Sequence, residues 1–122
     1  MKQSNIIAAH DAIQRLTERS LPLKLAYQVY RIKKAIQVPY DFHIEEEKKI
    51  LEKLKPEYIE GGYRFKSAEE VAEYKQFMKE LNDMEVEPIE KVRIPLSLNI
   101  DITPADIDAL DGVIEFYEEV PE

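Results

Sequence analysis

Hydrophobic residues recur at helical spacing through the first half of the chain and predict three amphipathic helices there. Over residues 5–19 apolar residues return every three or four positions, and Asn5 is the predicted cap. Pro22 suits the first turn of a second helix, whose apolar residues follow one stripe. Val38-Pro39 interrupts that stripe and predicts either a kink or a break, after which the helical pattern resumes over residues 40–55.

After Pro56 the pattern changes to a hairpin and then returns to a helix. Gly61-Gly62 lies between two short apolar runs and predicts a two-residue turn, in a register that places Tyr58 opposite Phe65. Ser67 with Glu70 three residues later forms a capping-box signature. A helix over residues 68–82 is therefore predicted.

The last third of the chain begins with strict alternation of apolar and polar residues over 92–102, which is strand periodicity. Pro95 cannot donate to a ladder, so this run predicts an edge strand, two shorter strands, or a partly irregular segment. Thr103-Pro104 predicts a capped short helix ending near Asp111, and residues 113–117 predict a final strand or a second helical stretch. The predicted fold class is α+β: an N-terminal bundle of about four helices with a small antiparallel hairpin and a short C-terminal helix.

Composition narrows the class of protein. The 122 residues suit one domain, and 44% hydrophobic with 34% charged residues is a globular composition. The absence of cysteine excludes disulfides and thiol chemistry. No apolar run has the length of a membrane span, and the first residues lack the apolar core of a secretory signal. We therefore expect a single domain in the cytoplasm, with no membrane association.

The residues needed for common catalytic and ligand-binding sites are missing from the sequence. His10 and His43 are the only imidazoles, so a multi-histidine zinc site within one chain is excluded. The three glycines form no phosphate-binding pattern, and no serine lies in a nucleophile elbow. The sequence predicts no catalytic residue, no cofactor and no metal site, and we expect a protein that is not an enzyme.

Charge is distributed unevenly along the chain. Residues 1–55 contain eleven Lys or Arg and seven acids, a net charge of +4, whereas residues 56–122 contain six and eighteen, a net charge of −12. Either the two halves neutralise each other in the fold, or each presents its own charged surface.

Two surfaces are candidates for binding a partner. On the second predicted helix, three cations and one aromatic ring share a side away from the apolar stripe: Lys24, Tyr27, Arg31 and Lys34. The second candidate is the acidic C-terminal end: Asp106, Asp108, Asp111, Glu115, Glu118 and Glu119. The alternative for each surface is structural, namely a solvated helix face paired with internal acids for the first and a solubilising rim for the second.

The order of these features resembles a family of small proteins of unknown function from phages and prophages of Gram-positive bacteria. The residues that carry the resemblance are Leu21-Pro22-Leu23-Lys24-Leu25-Ala26-Tyr27, the charged helix after it, and Ile100-Asp101-Ile102-Thr103-Pro104-Ala105-Asp106. Such sequences tend to run the second helix straight into the charged one, whereas Val38-Pro39-Tyr40 intervenes here. The resemblance implies a phage setting and supplies no catalytic residue.

From these observations we expect a non-enzymatic binding protein of the host cytoplasm that recognises another protein and inhibits a host factor for nucleic-acid handling or defence. The alternative is a virion or tail assembly protein that forms homo-oligomers through apolar faces of the first two helices. The net charge of −8 disfavours direct nucleic-acid binding.

Overall fold

The computed structural model describes residues 1–98 and 100–119 and confirms the mixed α+β class. These residues form four helices and four short strands, in the order α1 (Gln3–Thr17), α2 (Leu23–Leu54), β1 (Glu57–Ile59), β2 (Gly62–Arg64), α3 (Ala68–Asp83), β3 (Val92–Pro95), α4 (Pro104–Ala109) and β4 (Ile114–Tyr117). Asn99, predicted on the polar face of the alternating run, lies outside the described residues.

The hydrophobic core lies between α1 and the first half of α2 and is completed by the C-terminal elements. The apolar stripes of the two helices meet each other, and Ile94, Leu110, Val113 and Ile114 close the cluster. Helix α1 begins at Gln3, two residues before the predicted cap, and the Asn5 side chain instead accepts a hydrogen bond from the Lys2 N–H at 2.9 Å. The apolar faces of α1 and α2 that were candidates for self-association are therefore buried in the core of the same chain.

Helix α2 runs without a break through Pro39, so the first half contains two helices instead of three. Its buried face continues beyond the proline, with Ile36 before it and His43 and Ile50 after it. The ring of Tyr40 stacks on His10 of α1, with centroids 3.6 Å apart. Packing against α1 on both sides of Pro39 outweighs the local cost of the proline, which removes one intrahelical hydrogen bond. At about 1.5 Å per residue, the 32 residues of α2 span roughly 48 Å.

The hairpin of β1 and β2 forms antiparallel as predicted, but its predicted register is wrong. Tyr58 pairs with Tyr63 instead of Phe65, so the two central turn residues are Glu60 and Gly61. Gly61 has φ +87°, whereas Glu60 keeps a negative φ, and these signs match a type II turn, which needs glycine only at its second central position.

Helix α3 follows the hairpin and packs along the second half of α2. Its predicted cap is confirmed, because the Ser67 hydroxyl accepts from the Glu70 N–H at 3.2 Å. The reciprocal bond of the capping box is displaced by one residue, since the Glu70 carboxylate accepts from the Lys66 N–H. Of its sixteen residues, all described, Leu81 alone is fully buried.

The alternating run forms a strand only over its first four residues. Strand β3 ends at Pro95, and Leu96 and Ser97 lie in an exposed turn. Strand β3 pairs in parallel with β4, with Ile94 opposite Phe116. Of the two structures predicted for residues 113–117, a strand or a second helical stretch, the strand is the one that forms. Among the described residues, no helix has both the length and the apolarity to cross a membrane.

Candidate functional site

The side of α2 opposite the core carries a row of exposed residues, of which all but one lysine are apolar or aromatic. We call it the outer stripe: Leu23, Tyr27, Tyr30, Lys34 and Val38. Because these positions are spaced by four, three, four and four residues, they share one helix face, roughly opposite the buried face of Leu25 and Val29. Leu23 is 87% exposed and Val38 is 76% exposed, so this face has no cover within the described residues.

The three predicted cations of α2 lie on or beside the outer stripe. Lys24, Arg31 and Lys34 are exposed, and no carboxylate among residues 1–98 and 100–119 forms an ion pair with any of them. The Lys34 ammonium lies 5.5 Å from the centre of the Tyr30 ring, within cation–π range. The predicted set of Lys24, Tyr27, Arg31 and Lys34 is thus brought to one side of the helix.

Several basic residues elsewhere in the first half behave differently, because they meet acids of the second half. Four side chains of this kind make ion pairs: Lys2 with Asp83, Arg15 with Asp106, Arg19 with Asp101, and Lys53 with Glu73. The N-terminal ammonium also contacts Glu85 at 3.2 Å. Part of the charge asymmetry is therefore neutralised inside the fold, and Lys24, Arg31 and Lys34 are not among the cations that are neutralised.

Asp106 of the acidic C-terminal end has a structural position. It is buried, and its carboxylate accepts hydrogen bonds from the guanidinium of Arg15 through both oxygens. Its own N–H donates to the Thr103 hydroxyl at 3.1 Å, which forms the predicted cap of α4. The hydrogen bond from Arg15 lowers the pKa of Asp106 below its ordinary value, and Thr103 adds to that effect. Asp106 joins α4 to α1 and is not available on the surface.

Glu115 also has an internal partner, since its carboxylate lies 3.4 Å from the Arg93 guanidinium across the β3–β4 pair. The four other acids of this end are exposed and form no ion pair with a described residue: Asp108, Asp111, Glu118 and Glu119. The acidic candidate surface is therefore reduced to these four residues.

Sequence reasoning missed several residues of the basic side of the molecule. Leu23, Tyr30 and Val38 follow the same spacing as Tyr27 and Lys34, so a second helical stripe opposite the first is the signal that would have found them. Lys91 and Arg93 come beside Arg31 only through the folding of β3 against α2, which local sequence patterns do not encode.

Comparison of the chain with protein-family models, with curated proteins and with solved structures found no match. The resemblance to phage proteins stays a prediction from the sequence.

Proposed function

We propose that this protein acts without catalysis, by binding another protein through the outer stripe of α2 and the cations beside it. One observation carries the proposal: the stripe exposes Tyr27, Tyr30 and two aliphatic side chains next to three cations that have no ion-pair partner among the described residues. Aromatic residues and arginine are the side chains most enriched where protein interfaces derive their affinity.

The partner surface must be acidic, because Lys24, Arg31 and Lys34 need carboxylates to replace the water they lose on binding. In the phage setting implied by the sequence resemblance, the partner is a host protein of nucleic-acid handling or defence, met in the host cytoplasm. Inhibition then follows from occupying the surface of that protein, and no reaction is required of this chain.

A capture experiment with matched variants tests this proposal. The immobilised protein is incubated with a lysate of a phage-infected Gram-positive host. A stripe variant, Lys24→Glu with Lys34→Glu, and a control variant, Lys75→Glu with Lys79→Glu on α3, are treated in the same way. All four lysines are exposed and both variants change the net charge equally. We expect one host protein to be retained by wild type and control and lost from the stripe variant. Equal capture by all three, or capture of virion components alone, contradicts the proposal.

Virion assembly through homo-oligomers is the second candidate, and the exposed acids of the C-terminal end favour it. The acids of one copy would complement the cations on α2 of a second copy; these acids are Asp108, Asp111, Glu118 and Glu119. Such a contact is head-to-tail, and repeated contacts of this kind close into a ring or extend as a filament. Sedimentation velocity separates the two candidates. A monomer at all concentrations supports the host-binding role, whereas a large assembly that the Lys24→Glu, Lys34→Glu variant dissolves supports assembly.

A further inference from the structure

A groove of about 370 Å³ lies between α2 and the segment that leads into β3. On the α2 side its walls include Gln28, Arg31 and Ala35, and on the other side they include Lys91 and Arg93. Its volume lies within the range of pockets that hold small ligands or a few residues of a peptide. Arg31 lies between the outer stripe and this groove, so the two features form one continuous surface.

One wall of the groove is the edge of β3 that faces away from β4 and that pairs with no other strand among the described residues. Val92 and Leu96 donate their N–H groups to the carbonyls of Val113 and Tyr117, at 3.0 and 2.8 Å. Because alternate residues of a strand direct their backbone groups to opposite sides, Arg93 directs its N–H and carbonyl away from β4. The groove meets β3 along this edge, because Val92 and Arg93, whose side chains lie on opposite faces of the strand, both line it together with α2. Pro95 has no N–H, so this edge can pair with only a short strand.

The charges around the groove favour a carboxylate ligand. Arg31 and Lys91 are exposed and form no ion pair with a described residue, whereas Arg93 is engaged by Glu115 and by the Tyr117 ring. Glu90 is the one acid among the described lining residues. Ile32, Ile89 and Val92 supply apolar surface in the same groove. A ligand that alternates acidic and apolar side chains matches this arrangement.

We infer that the groove binds an extended acidic segment of the protein partner, which adds a short strand to the edge of β3 that faces away from β4 and places carboxylates on Arg31 and Lys91. This inference rests on the proposed function and names the part of the partner that is recognised. Backbone pairing supplies affinity in this mode of recognition, and alternate side chains supply specificity. A peptide fits better than a nucleic acid, because no aromatic side chain among the described residues lines the groove for base stacking.

Fluorescence anisotropy with a short fluorescein-labelled peptide of alternating glutamate and valine tests the inference. Ala35→Glu places a carboxylate inside the groove, and Lys91→Glu reverses one of its free cations. Ala72→Glu is the matched control, because Ala72 is likewise an exposed helical alanine, on α3. We expect saturable binding to wild type and to Ala72→Glu, and binding at least about tenfold weaker to the two groove variants. Lys91→Glu loses a charge-assisted contact, and Ala35→Glu places a carboxylate beside those of the peptide.

A second peptide, with alternate backbone amides N-methylated, separates strand pairing from charge alone. Loss of binding by this peptide supports pairing with β3, whereas binding equal to that of the first peptide overturns it. The inference also fails if the first peptide does not bind wild type, or if it binds Ala35→Glu as tightly as wild type. It fails as well if a single-stranded oligonucleotide of equal charge binds wild type more tightly than the peptide does and no longer binds Ala35→Glu. These groove variants leave Lys24, Tyr27 and Lys34 unchanged, so a host partner lost only from the stripe variant would uphold the proposed function while the groove assignment fails.

Discussion

The two ends of α2 lie in very different surroundings. Up to Ile36 it belongs to what we call the proximal region, with α1, β3, α4 and β4, where thirteen buried apolar residues form one cluster. From Asp41 onward it belongs to the distal region, with the β1–β2 hairpin and α3, where the buried apolar residues Ile50, Leu54 and Leu81 lie outside that cluster. Half-buried aromatic rings, such as Phe65 and Tyr74 with centroids 5.0 Å apart, take the place of a closed core there.

This difference indicates which region of the molecule is more stable and which opens more readily. A region with few fully buried apolar contacts opens more readily than a closed core. The groove and every residue of the outer stripe except Val38 lie in the proximal region, so most of the proposed binding surface is held by the more stable part of the fold. A rigid binding surface loses less conformational freedom when it binds a partner.

Two buried isoleucines of the same helix give the most direct test of this difference. Ile36 is fully buried within the cluster and Ile50 lies outside it. We expect Ile36→Ala to lower the free energy of unfolding by about 4 kcal/mol and Ile50→Ala by only about 2 kcal/mol, because the thinner distal packing can collapse around the missing atoms. Urea denaturation of both variants measures the difference. Equal losses would show that the two regions are packed equally well.

Features that depend on neighbouring residues along the chain were predictable from the sequence. The cap at Ser67, the cap at Thr103 and the end of α2 before Pro56 are set by local hydrogen bonds and by the geometry of proline. The pairing of β3 with β4 and the course of α2 through Pro39 were not, because each depends on packing between residues far apart in the chain.

The same distinction applies to the candidate site. The shared face of Lys24, Tyr27 and Lys34 follows from helical spacing and was predictable. The groove was not, since Lys91 meets α2 only after the strand has folded onto it. Likewise, the burial of Asp106 against Arg15 could not be distinguished from an exposed acid by composition or spacing.

Pro39 lies at the boundary of the two regions, and its replacement should bring the stability of the distal half of α2 closer to that of the proximal half. Pro39→Ala restores an N–H for the carbonyl of Ala35, but it also removes ring contacts of a half-buried residue. We expect a net gain of about 1–2 kcal/mol, less than the roughly 3 kcal/mol cost of an interior proline. Hydrogen exchange over residues 41–54 should slow toward the rate of residues 23–36. Val38→Ala, at an exposed neighbouring position, is the control, and a loss of stability in Pro39→Ala would mean that the ring contacts dominate.

Acid should weaken the proximal region through Asp106. Arg15 lowers the pKa of Asp106 in the folded state, so the stability contributed by the ionised carboxylate is complete above its ordinary pKa of about 3.9 and is lost as the pH falls through the lowered value. Asp106→Asn should be less stable at neutral pH and should lose less stability than wild type below about pH 4. Urea titrations at several pH values measure both effects. Glu73→Gln removes the exposed distal ion pair with Lys53 and should change neutral-pH stability less, and a larger change there would reverse the ranking of the two pairs.

The smallest effect on global unfolding is expected from Gly61 in the distal hairpin. Its φ of +87° is strained for any residue with a Cβ, although the space around it is open. Gly61→Ala should cost about 1 kcal/mol of local stability because of this backbone strain alone. Glu60→Ala is the control, since the neighbouring turn residue keeps a negative φ. Hydrogen exchange should quicken in β1, β2 and α3 of the Gly61 variant while α1 and the first half of α2 exchange at the wild-type rate. If exchange quickens equally in both regions, they unfold as one cooperative unit, and the division of α2 into a stable and an adaptable half does not hold.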